Sequence, residues 1–251
     1  MKLYVELRGA GEAVVFLNGY PVRIEYLRPL GERLARERKS AIVHLPGYGE
    51  SPALSPYDAE RSHELVEDAL LEHGIREATF VGYSFGLYRA IALALRGRVR
   101  ARAIVGLAGV AGYEPAQAAQ FRELAKILGP ETDLAAILET VMLSESARQR
   151  PDRVAEVRSW AGATSVEDLR AEIFAMSSAP DLLPRVAELD VPLLLRVGGD
   201  DVGAPPARSR QIAAVAKRCT LEEVEGVGHT ILSEDFEATA RSIEAFLSTS
   251  R

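Results

Sequence analysis

Thr79-Phe80-Val81-Gly82-Tyr83-Ser84-Phe85-Gly86-Leu87 is the stretch on which the fold turns. An apolar, β-branched run ends in Gly-Tyr-Ser-Phe-Gly, and Leu87 to Leu95 continues at once with helix formers. The pattern predicts a strand, one abrupt corner, then a helix. A serine at such a corner is pushed out of the sheet into a strained conformation, and Gly82 and Gly86 let neighbouring backbone pass close to it. The helix would start beneath that serine, so its unpaired N–H groups and positive dipole end would lie where negative charge could develop.

On either side of this corner the same alternation continues. Leu3 to Arg8, Ala13 to Leu17, Ala41 to Leu45 and Ala101 to Leu107 read as strands. Between them Leu27, Leu30 and Leu34 recur at helical spacing, with Pro29 near the start. Ser55 to Asp58 resembles a capping box that opens a helix through Leu65, Ala69 and Leu70, ended by Gly74. Such alternation over 110 residues predicts an α/β protein: a mostly parallel twisted sheet, right-handed crossovers, helices on both faces. Residues 111–189 differ in texture, with helical patterns and no convincing strand. They read as an inserted helical cap, a lid over the strand ends. Strand Val191 to Val197, helix Ala207 to Lys217, strand Cys219 to Val224 and helix Phe236 to Leu247 then resume the core. The division expected is a core of 1–110 and 190–251 with a cap of 111–189, folding as one unit.

Composition narrows the function. The 251 residues are 47% hydrophobic and 26% charged, which is ordinary globular usage, and the net charge of -6 argues against a nucleic-acid groove. Cys219 is the one cysteine, so neither an intramolecular disulfide nor a multi-cysteine metal site can form; a small buried filler is its expected role. The N-terminal residues alternate like a strand and lack the apolar core of a signal peptide, and no apolar run approaches membrane-spanning length. The expectation is a cytoplasmic enzyme acting on a small molecule, with no cofactor, metal, nucleic acid or membrane partner.

A serine hydroxyl is a weak nucleophile until a base takes its proton, and the base must be held in one tautomer by an acceptor. Of four histidines, His63 and His73 fall on a helix read as a surface helix with solvated side chains, and His44 lies in a strand where a structural role is expected. His229 follows a strand in Gly226-Val227-Gly228-His229, a loop free to carry an imidazole over the sheet edge. The acid must come from another loop at that edge. Ala108-Gly109-Val110 offers no carboxylate, whereas Gly198-Gly199-Asp200-Asp201 offers two, between which strand geometry does not choose.

With these residues in place, the sequence resembles an α/β-hydrolase-fold enzyme over nearly its whole length. Ser84, Asp201 and His229 follow the family's order of nucleophile, acid and histidine, and Gly198 and Asp201 match its Gly-x-x-Asp turn. Leu45-Pro46-Gly47-Tyr48-Gly49-Glu50-Ser51 is similar to the loop after the family's fourth strand. Pro184 to Glu188 with Val191-Pro192, and Ser209 to Ala213, look most like the esterase, enol-lactonase and cofactor-free haloperoxidase-like branch. By position the resemblance implies an oxyanion hole from the backbone N–H groups of Tyr20 and Phe85.

The chain departs from the family pattern at Asn18, where a histidine is usual, at His44, where an aspartate is usual, and at Leu87, where a glycine is common. The function implied is a serine hydrolase of small carboxylic esters or lactones working through an acyl-enzyme. Carbon–carbon hydrolysis, acyl transfer, perhydrolysis or a non-catalytic ligand-binding role are the alternatives on the same scaffold, and a serine at the elbow speaks against dehalogenation.

Overall fold

Val14 and Phe16 are buried toward one face of a strand, Val15 and Leu17 toward the other, and all four are essentially inaccessible. A strand buried on both sides belongs in the middle of a sheet covered by helices on both faces. The computed structural model, which describes all residues except Pro56, Thr164, Ser250, Arg251 and the side chain of Asp168, has this architecture. Its strands are β1 (Val5–Arg8), β2 (Ala13–Leu17), β3 (Lys39–Val43), β4 (Glu77–Tyr83), β5 (Arg100–Leu107), β6 (Leu193–Gly198) and β7 (Cys219–Val224). They form a seven-stranded sheet in the order β1-β3-β2-β4-β5-β6-β7. Every pairing is parallel except β1 with β3. The antiparallel β1 can join so because only a short turn, not a crossover helix, separates it from β2.

The helices are α1 (Arg28–Leu34), α2 (Ala59–Glu72), α3 (Phe85–Arg96), α4 (Pro115–Ile127), α5 (Leu134–Met142), α6 (Pro151–Gly162), α7 (Val166–Ser178), α8 (Pro206–Val215), α9 (Ile231–Glu234) and α10 (Phe236–Thr249). Leu30 and Leu34 of α1 and Ile243 and Leu247 of α10 cover one face of the sheet; α2, α3 and Ile212 of α8 cover the other. Pro29, Pro115 and Pro151 all stand in the first turn of their helices, where the missing N–H costs nothing. At α2 the cap is Asp58 alone, whose carboxylate accepts from the Arg61 N–H at 2.8 Å, and the helix begins at Ala59.

Between β5 and β6 the described residues form helices and no strand. Leu138, Met142, Val157 and Trp160 of α5 and α6 join the same apolar cluster as α1 and α10, while α4 and α7 share a small cluster of their own around Ala125 and Ile173. The helical segment is therefore packed onto the core through α5 and α6.

One expectation fails on tertiary grounds, that of a solvated His63, and another holds in part, since Cys219 packs against the apolar core without being fully buried. His63 is 3% exposed, not solvated, because α2 packs against α3, which sets the Tyr88 ring 6.2 Å from the imidazole. Burial holds its imidazole neutral, with its pKa lowered to about 4. Cys219 is half-buried, since β7 is an edge strand, and partial burial pushes its thiol up to about 11. Among the described residues no helix is long and apolar enough to cross a membrane.

Candidate active site

The ends of β2, β4, β6 and β7 open into loops on one edge of the sheet, the carboxyl edge where open α/β sheets bind ligands. At the end of β4 the chain reverses into α3 through Ser84, whose φ of 54° and ψ of -124° lie where a residue with a Cβ is strained. The corner survives because its neighbours are small. A Cβ on Gly86 would stand 2.1 Å from the Leu17 carbonyl oxygen, and one on Gly82 would stand 2.4 Å from the Gly86 carbonyl. The Ser84 N–H is fixed to the Leu107 carbonyl at 2.9 Å, tying the elbow to β5.

His229 reaches this corner from the loop after β7. Its Nε2 lies 3.1 Å from Ser84 Oγ, and its Nδ1 lies 2.9 Å from each Asp201 carboxylate oxygen. Asp201 comes from the loop after β6; Asp200 beside it points outward and is exposed. The turn itself makes the choice: the Asp200 N–H donates to Val227 and the Asp201 N–H to Gly198, which leaves the second carboxylate directed inward. Asp201 Oδ1 also accepts from the Ala204 N–H at 2.7 Å, so the acceptor is anchored on both sides. Asp201 and His229 are 4% and 3% exposed, and Ser84 is partly open. A chain of carboxylate, imidazole and hydroxyl in this order can withdraw the hydroxyl proton and return it to a leaving group.

The loop after β2 runs against the elbow. A Cβ on Gly19 would meet Ser84 Cβ at 2.6 Å and the Phe85 nitrogen at 2.9 Å, so Tyr20 follows directly beside the serine. The Phe85 N–H opens α3, where no intrahelical acceptor exists. Asn18 is wholly buried and its amide donates to the Val22 carbonyl at 3.1 Å, closing the 18–22 loop from within. His44 is 2% exposed, its Nδ1 accepts from the Glu50 N–H at 3.0 Å, and burial lowers its pKa. The bulk of Leu87 is met by glycines at 106 and 109, where a Cβ would come within 2.6 Å of its side chain.

Several supporting residues escaped the sequence reading. The buried Tyr83 hydroxyl donates to the His229 carbonyl at 3.1 Å, and burial raises its pKa well above the usual phenol value. Glu234 accepts from the Gly228 N–H, the Thr230 hydroxyl and the Ser144 hydroxyl, holding the histidine loop to the helical segment. Arg89 of α3 is 4% exposed; it donates to the Asn18 carbonyl and to Glu172 of α7, both at 3.4 Å, and its guanidinium lies 5.0 Å from the Phe85 ring centroid. Tyr83 sits inside the quoted motif and could have been suspected there; the Arg89 and Glu234 partners are too distant in sequence to be read locally. Beside the Tyr20 loop lies a cavity of about 410 Å³, bounded by residues 46–49 and by α7. It shares Tyr20 with the site, and neither Ser84 nor His229 lines it. Among the described residues no group of three or more His, Cys, Asp or Glu side chains is placed to hold a metal ion.

Residues 14–242 match the family model described as the alpha/beta hydrolase family. A pimeloyl-[acyl-carrier protein] methyl ester esterase of Chromobacterium violaceum is 27% identical over 269 residues, spanning 99% of both chains. Among solved structures, an esterase from Thermogutta terrifontis superposes with a TM-score of 0.88 at 22% identity, over 99% of this chain and 93% of that one. The enol-lactonase from Burkholderia xenovorans LB400 gives 0.85 at 23% identity, over 98% and 96%. At these identities the two structures speak for the fold.

Proposed function

The chain belongs to the alpha/beta hydrolase family, and from that premise we propose that it hydrolyses a small carboxylic ester or lactone through an acyl-enzyme on Ser84. The observation that carries this reading is the continuous relay from Asp201 through His229 to Ser84, at 2.9 and 3.1 Å. His229 Nε2 takes the hydroxyl proton as Ser84 Oγ bonds to the carbonyl carbon, and Asp201 steadies the imidazolium that results. The oxyanion is received by the N–H groups of Tyr20 and Phe85, a contribution whose loss from one donor typically costs about 10²–10³ in rate. The protonated His229 then gives its proton to the departing alkoxide. A water molecule, deprotonated by the same imidazole, attacks the acyl carbon, releases the acid and restores the serine. For a lactone the alkoxide stays tethered to the acyl group and the product is a hydroxy acid.

The methyl ester named for the Chromobacterium violaceum relative is consistent with this chemistry. In this reading α4 to α7 wall the pocket and set which esters enter.

The test is Ser84→Ala beside labelling by a fluorophosphonate probe. Turnover of p-nitrophenyl esters should fall by roughly 10⁴–10⁶-fold and labelling should vanish. Undiminished turnover in that variant would refute the mechanism, and a wild-type protein that never labels would point to a ligand-binding role.

A further inference from the structure

The cavity beside the Tyr20 loop has a wall whose charges are already answered. Its volume, about 410 Å³, is in the range of small-ligand pockets. Tyr20, Tyr48 and Tyr57 line one side; Ala171, Glu172 and Ala175, one turn apart on α7, line the other. The alanines leave the room and Glu172 supplies the charge. That charge is not free. Glu172 Oε1 lies 3.4 Å from Arg89 Nη2, and Arg89 is 4% exposed on α3 just behind the wall. Arg89 has no other carboxylate among the described residues, and its Nε is buried without a hydrogen-bond partner there. At the mouth Arg23 and Glu25 pair with each other at 3.6 Å and are both more than half exposed. Among the described residues the cavity therefore presents hydroxyls and apolar surface, and the cations at or behind its wall, Arg23 and Arg89, are each already paired with a carboxylate.

We propose that this cavity receives the far end of the ester and that Glu172, by occupying Arg89, makes it accept uncharged ends and refuse carboxylates. The inference rests on the ester-hydrolase reading above and adds its specificity determinant. Tyr20 joins the two: its ring lines the cavity while its backbone follows Gly19 past the Ser84 elbow, so an acyl chain that leaves the oxyanion position has this space within reach. A carboxylate entering would lie beside Glu172, and the cation that lines the cavity, Arg23, is already paired with Glu25; burying such a group unpaired costs at least about tenfold in binding. Removing the Glu172 carboxylate reverses the situation. Arg89 stays charged, because a guanidinium does not give up its proton, and it then lacks its carboxylate partner beside an enlarged cavity.

Dimethyl adipate and monomethyl adipate separate these cases, being alike in length and different in the charge at the far end. Hydrolysis of each at pH 8 would be followed in a pH-stat, with fluorophosphonate labelling of Ser84 as an independent control. The wild-type protein should favour the diester by at least about tenfold in kcat/KM. In Glu172→Ala that ratio should fall several-fold or invert, through a lower KM for the monoester, since its carboxylate can take the vacated place beside Arg89. Glu172→Gln keeps the shape of the wall and should move the ratio in the same direction; it decides the matter if the alanine variant does not fold. A wild-type ratio near one, or a ratio unmoved in the variant that folds, overturns the proposal. So does a wild-type protein that labels at Ser84 and cleaves neither ester. Failure to label would instead remove the ester-hydrolase reading on which the proposal stands.

Discussion

Ser144 donates its hydroxyl to Glu234, so the helical segment between β5 and β6 is bonded directly to the loop that carries His229. The same carboxylate receives the Gly228 N–H at 3.1 Å and the Thr230 hydroxyl at 2.7 Å, one residue to either side of the histidine. Three donors on one side chain fix the loop in one place. Glu234→Ala is expected to lower kcat by about 10–100-fold with a smaller change in KM, because misplacing a catalytic group by about 1 Å costs on that order. Steady-state kinetics on p-nitrophenyl acetate will show it; a kcat within twofold of wild type would mean that the loop is held by packing alone.

The two neighbouring aspartates give a cleaner contrast. Asp201 holds His229 Nδ1 with both oxygens, whereas Asp200 is exposed and contributes only its backbone N–H to the turn. Asp201→Asn should cost about 10⁴ in kcat, since an amide can stabilise the wrong tautomer of the imidazole. Asp200→Asn should change it less than about twofold. Equal losses in the two variants would sink the assignment of the acid.

These pairs also show how far the sequence could be read. Ser84 announces itself because its determinants are local: a β-branched run, two glycines and a helix within nine residues. The order of strands and helices is legible for the same reason. Asp201 and Asp200 follow β6 by three and two residues, and only the turn that sends the N–H of Asp200 to Val227 separates them. The burial of His63 is not legible locally because its surroundings come from elsewhere, Tyr88 of α3 among them. Next to it on α2, Glu67 is fully buried and answered by Arg96 and Arg98, 29 and 31 residues onward. Arg89 and Glu172 are 83 residues apart and meet only because α7 lies over α3. No local pattern records such a meeting.

Leu87, which occupies a position that is commonly glycine in the resembling family, is accommodated by missing side chains opposite it. A Cβ on Gly106 would stand 2.6 Å from Leu87 and 2.8 Å from Leu195. Leu87→Ala should lower stability by about 2–5 kcal/mol through the cavity it leaves. Gly106→Ala alone should cost about 1–3 kcal/mol by overpacking. In the double variant the new methyl occupies part of the vacated space, so the combined loss should fall below the sum by at least about 0.5 kcal/mol. Urea unfolding of the four proteins measures the cycle; strict additivity would show that the two residues do not compete for the same volume.

His63 ties stability to pH. Its folded pKa is depressed to about 4, first by burial and then by the charges of Arg89 and Arg96, against about 6.5 for an unfolded histidine. Above about pH 6.5 the residue is neutral in both states and contributes no pH dependence. Between about pH 6.5 and 4 the unfolded chain binds a proton that the folded chain refuses, so stability falls as the pH falls. Below about pH 4 both states are protonated and the loss levels off. From pH 8 to pH 4.5 this one group should remove about 2–3 kcal/mol of stability. His63→Gln cannot take up that proton, so its urea midpoint should fall less than that of the wild type over the same interval, whatever the substitution costs at pH 8. Parallel declines in the two proteins would mean that the imidazole binds its proton equally well in the folded and unfolded chains, so that neither burial nor the arginines depress its pKa.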